Sequence, residues 1–458
     1  MDRVVLFTIV IFVVISLGFH FFNFNHMTYW NGFYERNSSM IREQNALPTI
    51  DALSYLGRGY TFVPGYFYFN TGLAWLTGLE GQALFSLILS FSNLLFLFST
   101  FYLGRALGLH KKQSALFSLL IMSESFLLTA VTLSPRHALS FSLLALSLAL
   151  YFDKKHPVLC GIVLGMTAFV QAPLILFFPV FAFIAGKKTD WKRLATVSLI
   201  GGALFVVLFA PNIIKFGLPY QVESGSWGYL IKYPIQFLWR DFIALLAFFF
   251  TFYLIDLVRK RIKLTDYTKK LMIALGLGFV IQVSVTYRFN IITGLIFGLL
   301  LALWFPYKKL EDIHFERLCF IFVLIALWMS LSNVNSIQDI GRGPLVYLGE
   351  ATSTNTKILT DPLFGHSLAY FAERPVLADL MVEYADQEKL DDAYSFLEDK
   401  NYVVLDKYGI DYTVNQSNYV NREAMYGEPT KEAIEFDEID KIYSNTFLFI
   451  HRNRRQWD

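Results

Sequence analysis

The chain has 458 residues, of which 55% are hydrophobic and only 17% charged, with a formal net charge of +2. Soluble domains carry about a quarter charged residues, so this composition excludes an ordinary water-soluble enzyme. The small net charge argues against a nucleic-acid partner, and the two cysteines, Cys160 and Cys319, lie in or beside apolar runs and imply no disulfide framework.

A membrane-spanning helix needs about 20 mostly apolar residues. Such runs recur at 4–24, 82–104, 113–131, 137–152, 157–171, 173–186, 194–214, 239–258, 271–286, 290–306 and 316–333, about eleven in all. The pair around Pro173 also fits one long broken helix. The first run follows only "MDR", is too long for a signal-peptide core and lacks a small-x-small cleavage site, so it reads as a retained anchor.

Taking the N-terminus as cytoplasmic, the inner loops are "HKKQ", "DKKHP", "KKTDWKR", "RKRIKLTDYTKK" and "YKKLEDIHFER", each with a Lys or Arg cluster. The opposite loops are long and aromatic-rich (25–81 and 215–238) or very short. That asymmetry is the positive-inside pattern, and an odd number of spans then places residues 334–458 outside.

The tail has the alternation of a water-soluble α/β fold. "TKILTD" (356–361) reads as a strand, with helical patterns at 365–383 and 387–400. "YVVLDKYGIDYTV" (402–414) reads as strand, turn at Gly409 and strand, and "KIYSNTFLFIHR" (441–452) as a hairpin around Ser444-Asn445. At about 120 residues the tail is long enough to hold its own core. The predicted fold class is thus a polytopic α-helical membrane protein of about eleven spans (1–333), with a small C-terminal extracytoplasmic α/β domain (334–458).

Polar residues crowd the predicted outer surface in four places. The first outer loop, 25–81, carries Glu35, Arg36, Arg42, Glu43, Asp51 and Arg58 among many aromatics. Its Tyr and Trp residues fit an interfacial belt, which needs no acids. The turn "SPRHA" brings Arg136 and His137 to the surface, with Glu124 about two helical turns inside. Glu124 either donates a hydrogen bond in its protonated form or faces a wet cavity. Glu223 lies in "QVESGSW", in a loop long enough to fold over a cavity. Arg288 lies in the short turn "TYRFN", where it either snorkels or clamps a phosphate, which a guanidinium matches bidentately.

Two or three such carboxylates with a divalent cation, Mn²⁺ or Mg²⁺, are the chemistry for holding a phosphate or diphosphate leaving group, and one carboxylate can serve as general base. No compact zinc or nucleotide signature occurs. A cytosolic nucleotide donor would lie on the wrong face, whereas a phosphate-linked lipid reaches the right one.

This arrangement resembles the GT-C membrane glycosyltransferases, and within them the catalytic subunit of archaeal and bacterial oligosaccharyltransferases, which move a glycan from a polyprenyl (di)phosphate carrier to a protein asparagine. The family's first loop has a D-x-Y-Y-H-x-R segment, then G-L-P-x-x-D-P-x-S-Y. The second part stands here as "NALPTIDALSYLGR", with Asp51, Ser54, Tyr55 and Arg58; the first stands as "NGFYERNSSMI", where Glu35 is the nearest acid. The family glutamate before the last four spans matches Glu223, and its phosphate-binding arginine matches Arg288. The external segment W-W-D-Y-G-x-x-I with a following R-P and aspartate matches "TDPLFGHSLAYFAERPVLAD", keeping Asp361, Gly365, His366, Arg374 and Asp379.

The resemblance implies a glycosyltransferase acting on a polyprenyl-phosphate-linked sugar among membrane lipids, with a protein or glycan acceptor. It implies Glu35, Asp51 and Glu223 as catalytic acids, with Glu35 and Glu223 as metal ligands. Arg288, Arg58, Arg136 and His137 would hold the donor phosphate, and the five tail residues would face the acceptor. The chain departs from the family in lacking the tryptophan pair and Asp-Tyr of W-W-D-Y-G, and in having "SPRHA" where the family has a second-loop acid pair. Those losses leave open a non-catalytic relative that binds a lipid-linked glycan or partner. A secondary transporter is a third reading, hinted at by Glu124, Gln171-Ala172-Pro173 and Gln282, although no internal repeat supports it. Two sequons, at Asn37 and Asn415, fall on the predicted outer side.

Overall fold

In the computed structural model the described residues are 2–23, 29–46, 50–59, 64–122, 134–186, 189–216, 265–284, 290–305, 311–336, 342–379, 387–416, 439–444 and 448–453. Every apolar run falls on a helix there, except 239–258, which lies outside the described residues. In chain order the membrane layer contains α1 (Arg3–Asn23), α2 (Tyr29–Gln44), a two-strand ladder of β1 (Ile50–Asp51) and β2 (Arg58–Gly59), α3 (Gly65–Thr77), α4 (Gly81–Ala106) and α5 (Lys111–Met122). It continues with α6 (Pro135–Asp153), α7 (Pro157–Val170), α8 (Leu174–Ala185), α9 (Trp191–Phe216), α10 (Asp266–Ser284), α11 (Asn290–Trp304) and α12 (Asp312–Ser336). Among the described residues two helices, Gly81–Ala106 and Trp191–Ile214, are both long and apolar enough to cross a membrane; several others are apolar but shorter. Ten of the eleven expected runs thus lie at least partly on helices among the described residues, and two of those helices have both the length and the apolarity of a span.

The long segment 25–81, expected as an outer loop, is itself structured, holding α2, the small ladder and α3. The pair around Pro173 is two helices, because Gln171 is extended and interrupts the backbone ladder before α8 begins. One apolar core joins α1, α4, α5, α6, α8, α11 and α12. Glycine permits a close helix–helix approach in this layer: an added Cβ at Gly165 of α7 would lie 3.0 Å from the Gly201 carbonyl of α9 and 2.8 Å from Leu204.

Cationic residues of the predicted inner loops gather helix ends. Arg3 pairs with Glu316 through two bonds of 2.7 and 2.9 Å, Lys111 with Asp2, and Lys112 with Asp312, drawing together the starts of α1, α5 and α12. Arg193 donates to the carbonyls of Leu150, Tyr151 and Lys154, satisfying the C-terminus of α6. Lys270 does the same for α8 through Phe183 and Gly186. A cation there also meets the negative end of the helix dipole.

The tail contains α13 (Arg342–Ala351), β3 (Ile358–Thr360), α14 (Pro362–Phe371), α15 (Gln387–Asp399), α16 (Val403–Tyr408) and strands β4 (Tyr412–Gln416), β5 (Asp440–Ser444) and β6 (Leu448–Arg452). The sheet order is β3-β4-β6-β5, with β3 and β4 parallel and the rest antiparallel. The β5–β6 pair matches the expected hairpin. The expected strand at 402–408 is instead α16, ended by Gly409 in the left-handed conformation at φ 62°. Its valines made the segment look extended, yet only Val404 and Leu405 are buried while Val403 faces out, a helical rather than alternating pattern. Helix α14 stops at Phe371 rather than near 383, because Glu373 has a positive φ and Pro375 follows, and neither continues a helix.

Candidate functional site

Helix α2 is the centre of the site. Residues 32–38 are all buried, which is nearly two helical turns and more than one face can supply. The helix is therefore enclosed, by α3 and the start of α4 on one side and by the C-terminal domain on the other. Gly32 allows that closure, since a Cβ there would come within 3.1 Å of the Tyr370 Cβ of α14.

Successive residues of α2 point about 100° apart, so Glu35 and Arg36 serve different neighbours. Glu35 accepts from Arg42 Nη2 at 2.7 Å, from the Gly81 backbone N–H at 3.0 Å and from Asn70 at 3.5 Å. Its negative charge thus sits at the N-terminus of α4, where the helix dipole favours it. Nearby, burial first, then Tyr34 and Glu35, push the Tyr66 phenol well above its ordinary range. Arg36 instead pairs with Asp51 of β1, both nearly or fully buried. Its Nε and Nη1 have no hydrogen-bond partner.

The C-terminal domain meets this helix through His366, whose ring lies 4.5 Å from that of Phe33, centroid to centroid. His366 Nδ1 is 3.5 Å from Asp379 Oδ2, and Ser54 Oγ donates to the same carboxylate. Gly365 makes this arrangement possible: a Cβ there would fall 2.2 Å from the Ala378 carbonyl. Asp361 is buried and its carbonyl accepts from the Phe364 and Gly365 N–H groups at the start of α14. Arg374 spends all five N–H donors inside the domain, on the carbonyls of Gly349, Thr352, Ala372 and Glu373 and on Thr352 Oγ1. It is a staple between α13 and the segment after α14, with no donor left for an acceptor.

Arg136 donates to the Val170 carbonyl at 3.0 Å and so joins the start of α6 to the end of α7. His137 Nδ1 is 2.7 Å from Ser134 Oγ. Leu139 and Val170 pack with Phe33, Tyr34 and Tyr66, so this turn borders the α2 site. Glu124, Glu223 and Arg288 lie outside the described residues, as does the side chain of Arg58. Sequence reasoning gave Arg36, Arg42 and Asn70 no role. The spacing of Glu35 and Arg42, seven residues or two turns, is the signal that pairs them on one helical face.

Among the described residues no group of three or more His, Cys, Asp or Glu could hold a metal ion. Glu35 and Asp51 do not fit a divalent cation in this arrangement, because each already faces a guanidinium that would repel it.

No family model matches the chain, and no curated protein matches it by sequence. Solved structures do match by shape. The Archaeoglobus fulgidus oligosaccharyltransferase tethered to an acceptor peptide with an NVT sequon aligns over 97% of this chain and 73% of its own, with TM-score 0.63 and 15% identity. ArnT from Cupriavidus metallidurans bound to undecaprenyl phosphate aligns over 96% and 97%, with TM-score 0.59 and 11% identity. The arabinofuranosyltransferase AftD from Mycobacteria aligns over 97% and 39%, with TM-score 0.60 and 13% identity. The chain has the GT-C fold. The Archaeoglobus fulgidus enzyme has also been crystallised with Zn and sulfate, at TM-score 0.62 and 16% identity. These GT-C neighbours are multi-pass membrane proteins, which supports a membrane location.

Proposed function

We propose that this chain transfers a sugar or glycan from a polyprenyl-(di)phosphate carrier to an acceptor on the outer membrane face. The observation that carries the reading is the fold match over 96% of the chain to a GT-C transferase holding undecaprenyl phosphate. In the reaction the acceptor nucleophile bonds to the sugar's anomeric carbon, the carbon–oxygen bond to the carrier phosphate breaks, and the acceptor proton passes to a carboxylate. Glu35, Asp51 and Glu223 are the proposed acids, and Arg288, with Arg58, Arg136 and His137, the proposed holders of the departing phosphate. His366 and Asp379 bring the external domain over α2, so the acceptor would approach across that edge. The N-terminus is proposed to be cytoplasmic and the external domain extracytoplasmic.

A second reading is favoured by one observation: Glu35 and Asp51 are buried in arginine pairs. A relative that binds a lipid-linked glycan without turning it over would use these acids only to build the scaffold. One experiment separates the two. Purified protein is incubated with labelled polyprenyl-phosphate and polyprenyl-diphosphate sugars, with and without Mn²⁺ or Mg²⁺, alongside a Glu35→Ala, Glu223→Ala double variant. Sugar release that disappears in the variant supports transfer. Saturable binding without release, lost on Arg288→Ala, supports the non-catalytic relative.

A further inference from the structure

The turn between β1 and β2 belongs to the external domain as much as to the membrane layer. Tyr55 is fully buried among Leu359, Leu377, Leu397 and Leu405, all residues of that domain. Its hydroxyl donates to the Asp379 carbonyl at 2.7 Å, and Ser54 Oγ donates to the Asp379 carboxylate. Two backbone bonds add a ladder: Leu56 N–H to the Val376 carbonyl at 2.9 Å, and Val376 N–H to the Leu53 carbonyl at 3.0 Å. Lys389 closes the turn by donating to the Tyr55 carbonyl at 2.8 Å.

The backbone inside this clamp is strained. Tyr55 and Leu56 both have left-handed φ values, 50° and 53°, before Gly57 at 108°. Left-handed conformations are unfavourable for residues that bear a side chain and persist only where surrounding contacts enforce them. Here the enforcing contacts include the hydrogen bonds of Val376, Asp379 and Lys389 and the leucines packed around Tyr55. The same turn carries Asp51, which pairs with Arg58 in the β1–β2 register and receives the Leu53 and Ser54 N–H groups on its carboxylate and carbonyl.

We propose that Asp379 is a positioning residue: through Ser54 and Tyr55 it holds the first-loop turn, and so sets where Asp51 stands against Arg36. This rests on the glycosyl-transfer reading. The external domain then acts on the reaction by placing a membrane-side acid, at the far side of the turn from its own contacts. Its displacement would carry Asp51 with it.

The test uses full-length protein with Ser54→Ala, Tyr55→Phe, the double variant and Ser54→Thr, which keeps the hydroxyl. Two quantities are measured: amide hydrogen exchange over residues 50–59, and sugar release from a labelled polyprenyl-phosphate sugar. In the double variant exchange should rise about tenfold, the loss of one to two buried hydrogen bonds. The kcat should fall about tenfold or more, since a misplacement of about 1 Å in a reacting group can cost about a hundredfold and a smaller shift less. KM should stay within about twofold, and Ser54→Thr should behave as the unmodified chain. A purely structural contact would lower the melting temperature and leave kcat of the folded protein unchanged. Exchange that does not change, or that rises with kcat unchanged, overturns the proposal. An unmodified chain without turnover overturns the transfer reading and positioning with it, while the exchange arm still decides the clamp by itself.

Discussion

Glu35 and Arg42 stand two turns apart on α2, and their side chains close to 2.7 Å between Oε1 and Nη2. Neither is more than marginally exposed, so each is the other's replacement for water. Removing one partner of a buried pair typically costs about 3–5 kcal/mol, because the survivor stays charged without solvent. Glu35→Gln and Arg42→Gln should therefore each lower thermal stability strongly, with the double variant losing less than the sum. A thermal-melt cycle in detergent measures this coupling; strict additivity would mean that the pair contributes nothing as a pair.

The contact between α7 and α9 offers a sharper steric test. Gly165 has no room for a side chain, with Leu204 Cδ2 at 2.8 Å and the Gly201 carbonyl at 3.0 Å from the site of a Cβ. Gly165→Val should cost about 1–3 kcal/mol through overpacking. Gly202→Val, where nothing lies within 4 Å of an added Cβ, should be close to neutral by the same melt.

Both sequons are closed in the folded chain. Asn37 is buried and donates to the Phe33 carbonyl at 2.7 Å, and Asn415 is buried in the β4 strand opposite Phe449. Glycan attachment needs an accessible side-chain nitrogen in an exposed loop. Protein made in a glycosylating host should show no mass shift at either site, and intact-mass measurement before and after glycan removal checks this.

The C-terminal domain should weaken in mild acid through His451. Burial first, with Lys441 adding repulsion, pushes this imidazole from 6.5 down to about 4. An unfolded chain then takes up a proton between those values that the folded chain refuses. Stability is full above pH 6.5 and falls as the pH drops towards about 4. Melts across that range should show a smaller decline in His451→Gln than in the unmodified chain, whose other groups are common to both.

The order of apolar runs, the charged loops between them and the β5–β6 hairpin were legible because hydrophobic periodicity and turn residues are local properties. The same local reading misassigned 402–408, where two valines suggested a strand and only the packing of Val404 and Leu405 selected a helix. It also singled out Glu35, Asp51, His366 and Asp379 as residue types suited to a site. What each of them touches was decided by tertiary structure alone. Ser54 and Asp379 are 325 residues apart in sequence, and no spacing rule relates them. Arg374, which the resemblance placed facing an acceptor, is a staple only because the carbonyls of two separate segments close around its guanidinium. Burial is written into a chain by pattern, but the partner of a buried charge is chosen by the fold that encloses it.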